Sequence, residues 1–320
     1  MSSQKQMRLN RLVTVFALVL SLTRWGVVSA SVRYAGDFLW LGTGARAETF
    51  GSVFVALSND ATAGYWNPAA IPRLDTAELI LSHSERFAGI VKSDFAGCVL
   101  PAGGTGGFGI SLLRTGVDDI KYTRLQVPRE ALSSTNRPEV YRVVGNTDYA
   151  FYLSYGRSVR GDISIGSSVK IIRRKIGDDT ASGYGIDVSV LYEPISGLSV
   201  GISLCDITST TVEWWDTGAR DVILPSLRMG VAYSRSVPFL KSRVAGGVGT
   251  QRGREVPDKS INAGLEWWYR DLVALRLGVQ RRHFTAGVGL RIYRRVGIDY
   301  AFLQHEELDD THRISLSFKL

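Results

Sequence analysis

Cysteine is almost missing from this chain. Cys98 and Cys205 are the only two in 320 residues, and they fall on different predicted strands. Two cysteines so far apart make no disulfide framework, and both read as small buried side chains. Four histidines, without clustered cysteines, exclude a Cys/His metal cluster. After the first thirty residues no apolar run reaches eighteen, which excludes a transmembrane helix. Charge of one sign is also scarce. Residues 1–30 carry Lys5, Arg8, Arg11 and Arg24 and no acid, so without them the net charge falls from +8 to +4, scattered along the rest. Nucleic acid is therefore not an expected partner. No nucleophile elbow and no paired catalytic carboxylates at a defined spacing occur, so an enzyme and a cofactor are not expected either.

The first thirty residues have the plan of a signal peptide. A basic start precedes the eleven-residue apolar run "LVTVFALVLSL" (12–22), and Val28 and Ala30 take the −3 and −1 positions of a cleavage site before Ser31. Eleven residues are too few to span a bilayer as a helix.

Beyond residue 77 one pattern dominates, alternation with period 2. In "SGYGIDVSVLY" (182–192), Tyr184, Ile186, Val188, Val190 and Tyr192 point one way and Gly183, Gly185, Asp187 and Ser189 the other. Fourteen such segments follow one another: roughly 77–86, 92–100, 106–115, 147–158, 161–175, 182–193, 197–206, 225–236, 240–251, 259–270, 271–281, 283–293, 295–304 and 312–320. No stretch between them carries a helical period, and the chain reads as all-β. A soluble sandwich would fill the second face with Lys, Glu and Thr. Here that face is Gly, Ser and Ala with isolated charges, while the first is uninterruptedly apolar. That suits a transmembrane antiparallel β-barrel with lipid outside and a tight polar lumen. Tyr149, Tyr155, Tyr184, Tyr192, Trp267 and Tyr269 stand near strand ends, where interfacial girdles belong. Links alternate between short and long, the long ones falling near 116–146, 176–181, 207–224, 252–258 and 305–311. An even strand count with both termini on the short-link side is the outer-membrane arrangement. The expected organisation is a signal peptide (1–30), an N-terminal segment (31–76) and a barrel (77–320), located in the bacterial outer membrane with its lipid as first partner.

Residues 31–76 do not alternate, yet they are moderately apolar and need burial; the lumen is the available place. Within them, "NDATAGYWNPAA" (59–70) puts two rings beside a breaker. Pro68 pushes Asn67 out of the α region, and Asn67 can bond the backbone two residues on, so a turn is expected there. Inward-facing Lys170, Asp187, Arg228, Arg243, Glu266, Arg276, Arg291, Asp299 and Arg313 form a mixed-charge lumen. They either select an anionic head group or pair with one another and with backbone carbonyls. "VEWWD" (212–216) places Trp214 and Trp215 in a long loop, to grip a partner or to join the outer aromatic belt. "GTGGFG" (104–109) runs into an alternating stretch and is a turn, not a nucleotide loop. "QHEELDDTH" (304–312) fits no metal-ligand spacing and reads as a solvated acidic loop.

The stretch "GSVFVALSNDATAGYWNPAAI" (51–71) resembles the N-terminal signature of the FadL superfamily of outer-membrane barrels, especially its PorV/PorQ branch. Phe54, Val55, Ala56, Asp60, Ala61, Thr62, Ala63, Tyr65, Trp66, Asn67, Pro68 and Ala69 match an "AFVA…DDATAAYWNPAGL" pattern. Asn59, Gly64 and Ala70 depart from it. The resemblance implies a fourteen-stranded barrel closed by an N-terminal hatch, with Asp60, Tyr65, Trp66, Asn67, Pro68 and Ala69 as the hatch motif. For function it implies one of two things. PorV and PorQ are partners of secreted proteins or of the type IX translocon, and the "YWNPA" form favours that branch. FadL proper takes up fatty acids and other hydrophobic small molecules.

Overall fold

The computed structural model describes residues 35–103, 105–253, 261–305 and 309–320. The expected signal peptide lies outside them. Sixteen strands occur among the described residues: β1 Glu78–Arg86, β2 Val91–Ala102, β3 Gly106–Leu125, β4 Pro138–Arg160, β5 Ile163–Ile176, β6 Asp179–Ile195, β7 Leu198–Cys205, β8 Thr210–Trp214, β9 Arg220–Ile223, β10 Ser226–Val237, β11 Ser242–Gly253, β12 Ile261–Tyr269, β13 Val273–Gln280, β14 His283–Ile292, β15 Val296–Leu303 and β16 Thr311–Lys319. Fourteen of them close a ring of antiparallel ladders, from β1 through β7 and then β10 to β16, which pairs back onto β1. Closure leaves no sheet edge within the wall, which is the condition for a β-structure in lipid.

The wall has two chemically distinct faces. Outward residues are large and apolar, among them Ile110, Leu112, Val169, Ile171, Leu275, Leu277 and Val288. Val188 is 37% exposed on this face while its neighbours Asp187 and Ser189 are buried inside. This is the lipid-facing surface of a transmembrane barrel. Tyr155, Tyr192, Trp267 and Tyr269 lie near the strand ends that the short links join; Tyr149 and Tyr184 lie toward the opposite end. Several links are tight: Arg270–Asp271 and Tyr293–Arg294 each place two consecutive non-glycine residues at φ between 47° and 59°. Two left-handed residues in a row is the turn twist that matches the twist of paired strands.

Three features depart from the sequence reading. The segment before β1 is helical, in single turns at Asp37–Trp40, Ala45–Glu48, Gly51–Val53, Phe54–Leu57, Ala63–Trp66 and Pro68–Arg73. Turns this short carry no period to detect and exist because tertiary contacts hold them. The expected loop at 116–146 is mostly strand. β3 and β4 continue past their outer neighbours, which stop at Val117 and Asn146, and pair only with each other as a protruding ribbon. Its tip is closed by Asn136, whose side-chain amide donates to the carbonyls of Val127, Glu130 and Ala131 while its Oδ1 accepts from Val127 N. Finally, the expected loop at 207–224 holds the hairpin β8–β9.

That hairpin explains the two extra strands. β6 pairs with β7 from Val188 toward its C-terminal end, and with β8 at Ala181–Gly183. Between the two the chain breaks direction, with Asp206 and Ser209 both at φ 56°. Beyond the break the hairpin folds inward: Thr210, Val212 and Ile223 are fully buried, and Ile223 packs on Gly36.

Candidate functional site

The lumen is filled by residues 35–74, and the packing explains why the inner face is so rich in glycine. A methyl group added at Gly156 would meet Pro68 O, at Gly166 the Ala69 N, at Gly201 the Val55 O, at Gly249 the Val53 backbone, and at Gly278 the Thr49 O. Plug backbone thus lies against wall backbone, and a Cβ has no room between them.

Asn67 holds the middle of this plug. It is extended, at φ −159° and ψ 93°, and interrupts two helical turns. Its amide Nδ2 donates to Val55 O at 2.6 Å, and its Oδ1 accepts from Ala69 N at 3.0 Å. Ala69 N is shared with Ser189 Oγ of the wall. Pro68 starts the next turn, where the missing N–H costs nothing. Asp60 caps locally, accepting from Thr62 N and Thr62 Oγ1, and meets Arg46 at 3.4 Å.

Tyr65 and Trp66 belong to an aromatic seam. Phe50, Phe54, Trp66 and Tyr65 follow one another with ring centroids 6.2, 6.0 and 5.1 Å apart, and Tyr65 continues to Phe95 and Tyr152 of the wall at 6.3 and 5.9 Å. Both polar tips are satisfied: Tyr65 OH donates to Leu39 O, Trp66 Nε1 to Thr43 O. Arg228 lies over Tyr65, Trp66 and Trp40, and donates to the carbonyls of Tyr65 and Leu39.

The lumen charges sort into networks. Glu266 receives a two-pronged contact from Arg46 of the plug (2.8 and 2.9 Å) and a bond from Arg276 (2.7 Å), which reaches Asp299 at 2.6 Å. Burial works against the charge on Arg46, but Glu266 beside it outweighs this and raises its pKa. A second network joins the plug's Glu48 to Arg86 and Arg313, both at 3.1 Å. In a third, Lys170 sits between Asp187 (2.9 Å) and Asp206 (2.8 Å), Asp206 being the residue where β7 breaks. Thr210 of the inward hairpin donates to Asp206 at 2.6 Å. These charges therefore mostly pair with one another and with plug carbonyls.

Arg243 and Arg291 differ. Both stack on the buried Trp268, with guanidinium carbons 5.8 and 4.6 Å from its ring centroid. Trp214 bonds Asp221 through Nε1 and packs on the core, so it is no belt residue. Trp215 is exposed, lies under Arg173 and donates to Ser182 Oγ. His83 bonds Asp94 at 2.7 Å, and the His283 ring lies 5.4 Å from that of His305. No group of residues suited to a metal ion occurs among the described residues.

The residues that sequence reasoning missed are Arg46, Glu48, Asp206 and Trp268. For the first two a signal existed. "ARAE" carries two charges in a segment that has to be buried, and such charges must find partners on the wall. Between plug and wall, near Lys170, the space left is about 10 Å³. Two larger spaces, of about 80 and 270 Å³, lie at the short-link end and share Arg46, Asn59 and Arg243. The plug fills the lumen through non-covalent contacts with the wall.

Solved structures share the fold, among them these three. The P. putida toluene transporter TodX aligns with a TM-score of 0.60 at 12% identity, over 88% of this chain and 99% of that one. The CymD monoaromatic hydrocarbon channel gives 0.59 at 11%, over 88% and 98%. A Pseudomonas aeruginosa FadL homologue gives 0.54 at 12%, over 92% and 100%. The fold is thus that of FadL-like outer-membrane barrels. No curated protein sequence matches. The model of an uncharacterised protein family, UPF0164, matches residues 27–187, half of the chain.

Proposed function

The chain belongs to the UPF0164 family, and from its plugged barrel we propose an outer-membrane channel for small hydrophobic compounds, gated by its N-terminal segment. The observation that carries this reading is the aromatic seam. Phe50, Phe54, Trp66 and Tyr65 of the plug run into Phe95 and Tyr152 of the wall, so a shift of the plug opens an aromatic-lined surface within the lumen. The plug is held to the wall by hydrogen bonds, ion pairs and side-chain packing, with no disulfide from the free Cys98 or Cys205, which permits such a shift. The fold shared with a toluene transporter and a monoaromatic hydrocarbon channel agrees with that substrate class.

Uptake of labelled toluene and of a labelled long-chain fatty acid, in cells with and without the gene, tests it. Loss of uptake of either compound on deletion is the expected result. Equal uptake of both compounds in the two strains removes the channel reading.

A second reading is favoured by one specific observation, the protruding β3–β4 ribbon. Tyr122, Val140, Tyr141 and Val143 are exposed on it, and it pairs with no third strand. In the PorV/PorQ sense such a surface would receive a secreted protein or a type IX translocon component. Co-purification of a translocon component with the wild-type barrel, lost when residues 118–145 are replaced by a short turn, is the result this reading requires.

A further inference from the structure

We propose that the cavity of about 80 Å³ at the short-link end of the lumen binds a singly charged oxyanion, a phosphate or carboxylate group, between Arg243 and Arg291. The site goes beyond the channel reading and does not depend on transport.

The cations of the cavity and the network behind it, Arg46, Arg243, Arg276, Arg291 and Lys319, are unevenly paired with the carboxylates Asp60, Glu78, Glu266, Asp271 and Asp299. Arg46 and Arg276 are committed to Glu266, Asp60 and Asp299 at 2.6–3.4 Å, and Lys319 faces Glu78 at 3.9 Å. Arg243 has only Asp271, at 3.8 Å, and Arg291 has no carboxylate within 4 Å among the described residues. Arg291 is thus left without a close counter-charge, and Arg243 shares its distant one with Arg294 at 4.0 Å; in this half-buried space incompletely compensated charge is costly. A monoanion removes that cost.

Shape and preorganisation favour the same ligand. The guanidiniums of Arg243 and Arg291 stack on Trp268, as does that of Arg276 at 5.4 Å, which restricts their movement before a ligand arrives. A guanidinium presents a fork of donors that matches an oxyanion. Ser317 lines the same space. At about 10–15 Å³ for a water-sized occupant, the cavity admits a group of several heavy atoms. The adjoining cleft of about 270 Å³, lined in part by Leu57 and Ala245, leaves room for a chain attached to that group. The oxyanion is thus either free or the head group of an amphiphile.

Calorimetric titration of the full-length barrel, in nanodiscs of zwitterionic lipid, with inorganic phosphate and with octyl phosphate distinguishes the two. Binding of inorganic phosphate comparable to that of octyl phosphate identifies a free anion; binding of octyl phosphate alone identifies a head group. In either case Arg291→Gln and Arg243→Gln each weaken binding by about tenfold to a hundredfold, the range expected for loss of a charged hydrogen bond. Ser317→Leu fills the cavity while leaving both arginines in place, and abolishes binding in a barrel of unchanged heat-modifiable gel mobility. Failure of both probes to bind the wild type overturns the proposal. So does binding that survives Arg291→Gln and Ser317→Leu unchanged.

Discussion

The inner and outer faces of this barrel wall are built from the same strands under opposite rules. On the outer face any large apolar side chain suffices, because its neighbour is fluid lipid. On the inner face single atoms matter. Gly166 cannot carry a methyl because Ala69 N and the Pro68 carbonyl carbon lie against it, and Glu266 has two arginines depending on it. One strand therefore tolerates substitution at every second residue and resists it at those between.

The largest effect is expected inside. Glu266→Leu leaves Arg46 and Arg276 buried without their shared carboxylate, at a cost of about 3–5 kcal/mol. Denaturant unfolding of the barrel in detergent measures it. A change under about 1 kcal/mol would mean that water reaches these charges freely. Next comes the outer face at its most sensitive. Val188→Arg places a charge in the apolar band and costs about 2–4 kcal/mol, read in the same assay, whereas Val188→Leu leaves stability unchanged.

Loosening the plug turn has a smaller effect. Asn67→Ala combined with Pro68→Ala removes the bonds to Val55 O and Ala69 N, at about 1–3 kcal/mol. The barrel still assembles and shifts on heating, but it leaks small hydrophilic solutes and becomes protease-sensitive near residues 50–75. Complete failure to assemble would assign the motif to barrel folding instead. The smallest effect belongs to the exposed ribbon. Val143→Thr changes neither stability, by more than about 0.5 kcal/mol, nor heat-modifiable mobility, since no third strand packs there.

How much of this was legible depended on the range of the interaction. Strand count and facing were legible because alternation is local: Val188 outward and Asp187 inward follow from adjacent positions in the chain. Asn67 was legible for the same reason, since Pro68 restricts it directly and its partner Ala69 is two residues away. The bond from Asn67 to Val55 was not, because nothing local brings those residues together. Gly185 shows the limit well. Its place on the lumen face was readable, but the neighbour that excludes a side chain is Thr210 of the inward hairpin, not the plug.

A closed wall of fourteen strands, its two chemically distinct faces, and a turn around Asn67 within a segment that requires burial all follow from local features of the chain. Period-2 hydrophobicity and proline sterics act between near neighbours and survive in the bare string of residues. Long-range packing sets the rest: β3 and β4 outrun the barrel, β7 breaks at Asp206 so that a hairpin folds inward, and Arg46 joins Glu266 across 220 positions. It also brings Arg243 and Arg291 onto one indole, Arg291 with no carboxylate within 4 Å among the described residues. Those outcomes depend on which of many inward side chains stand at the same height around the ring, and strand tilt and register set that height, not any single strand's own sequence.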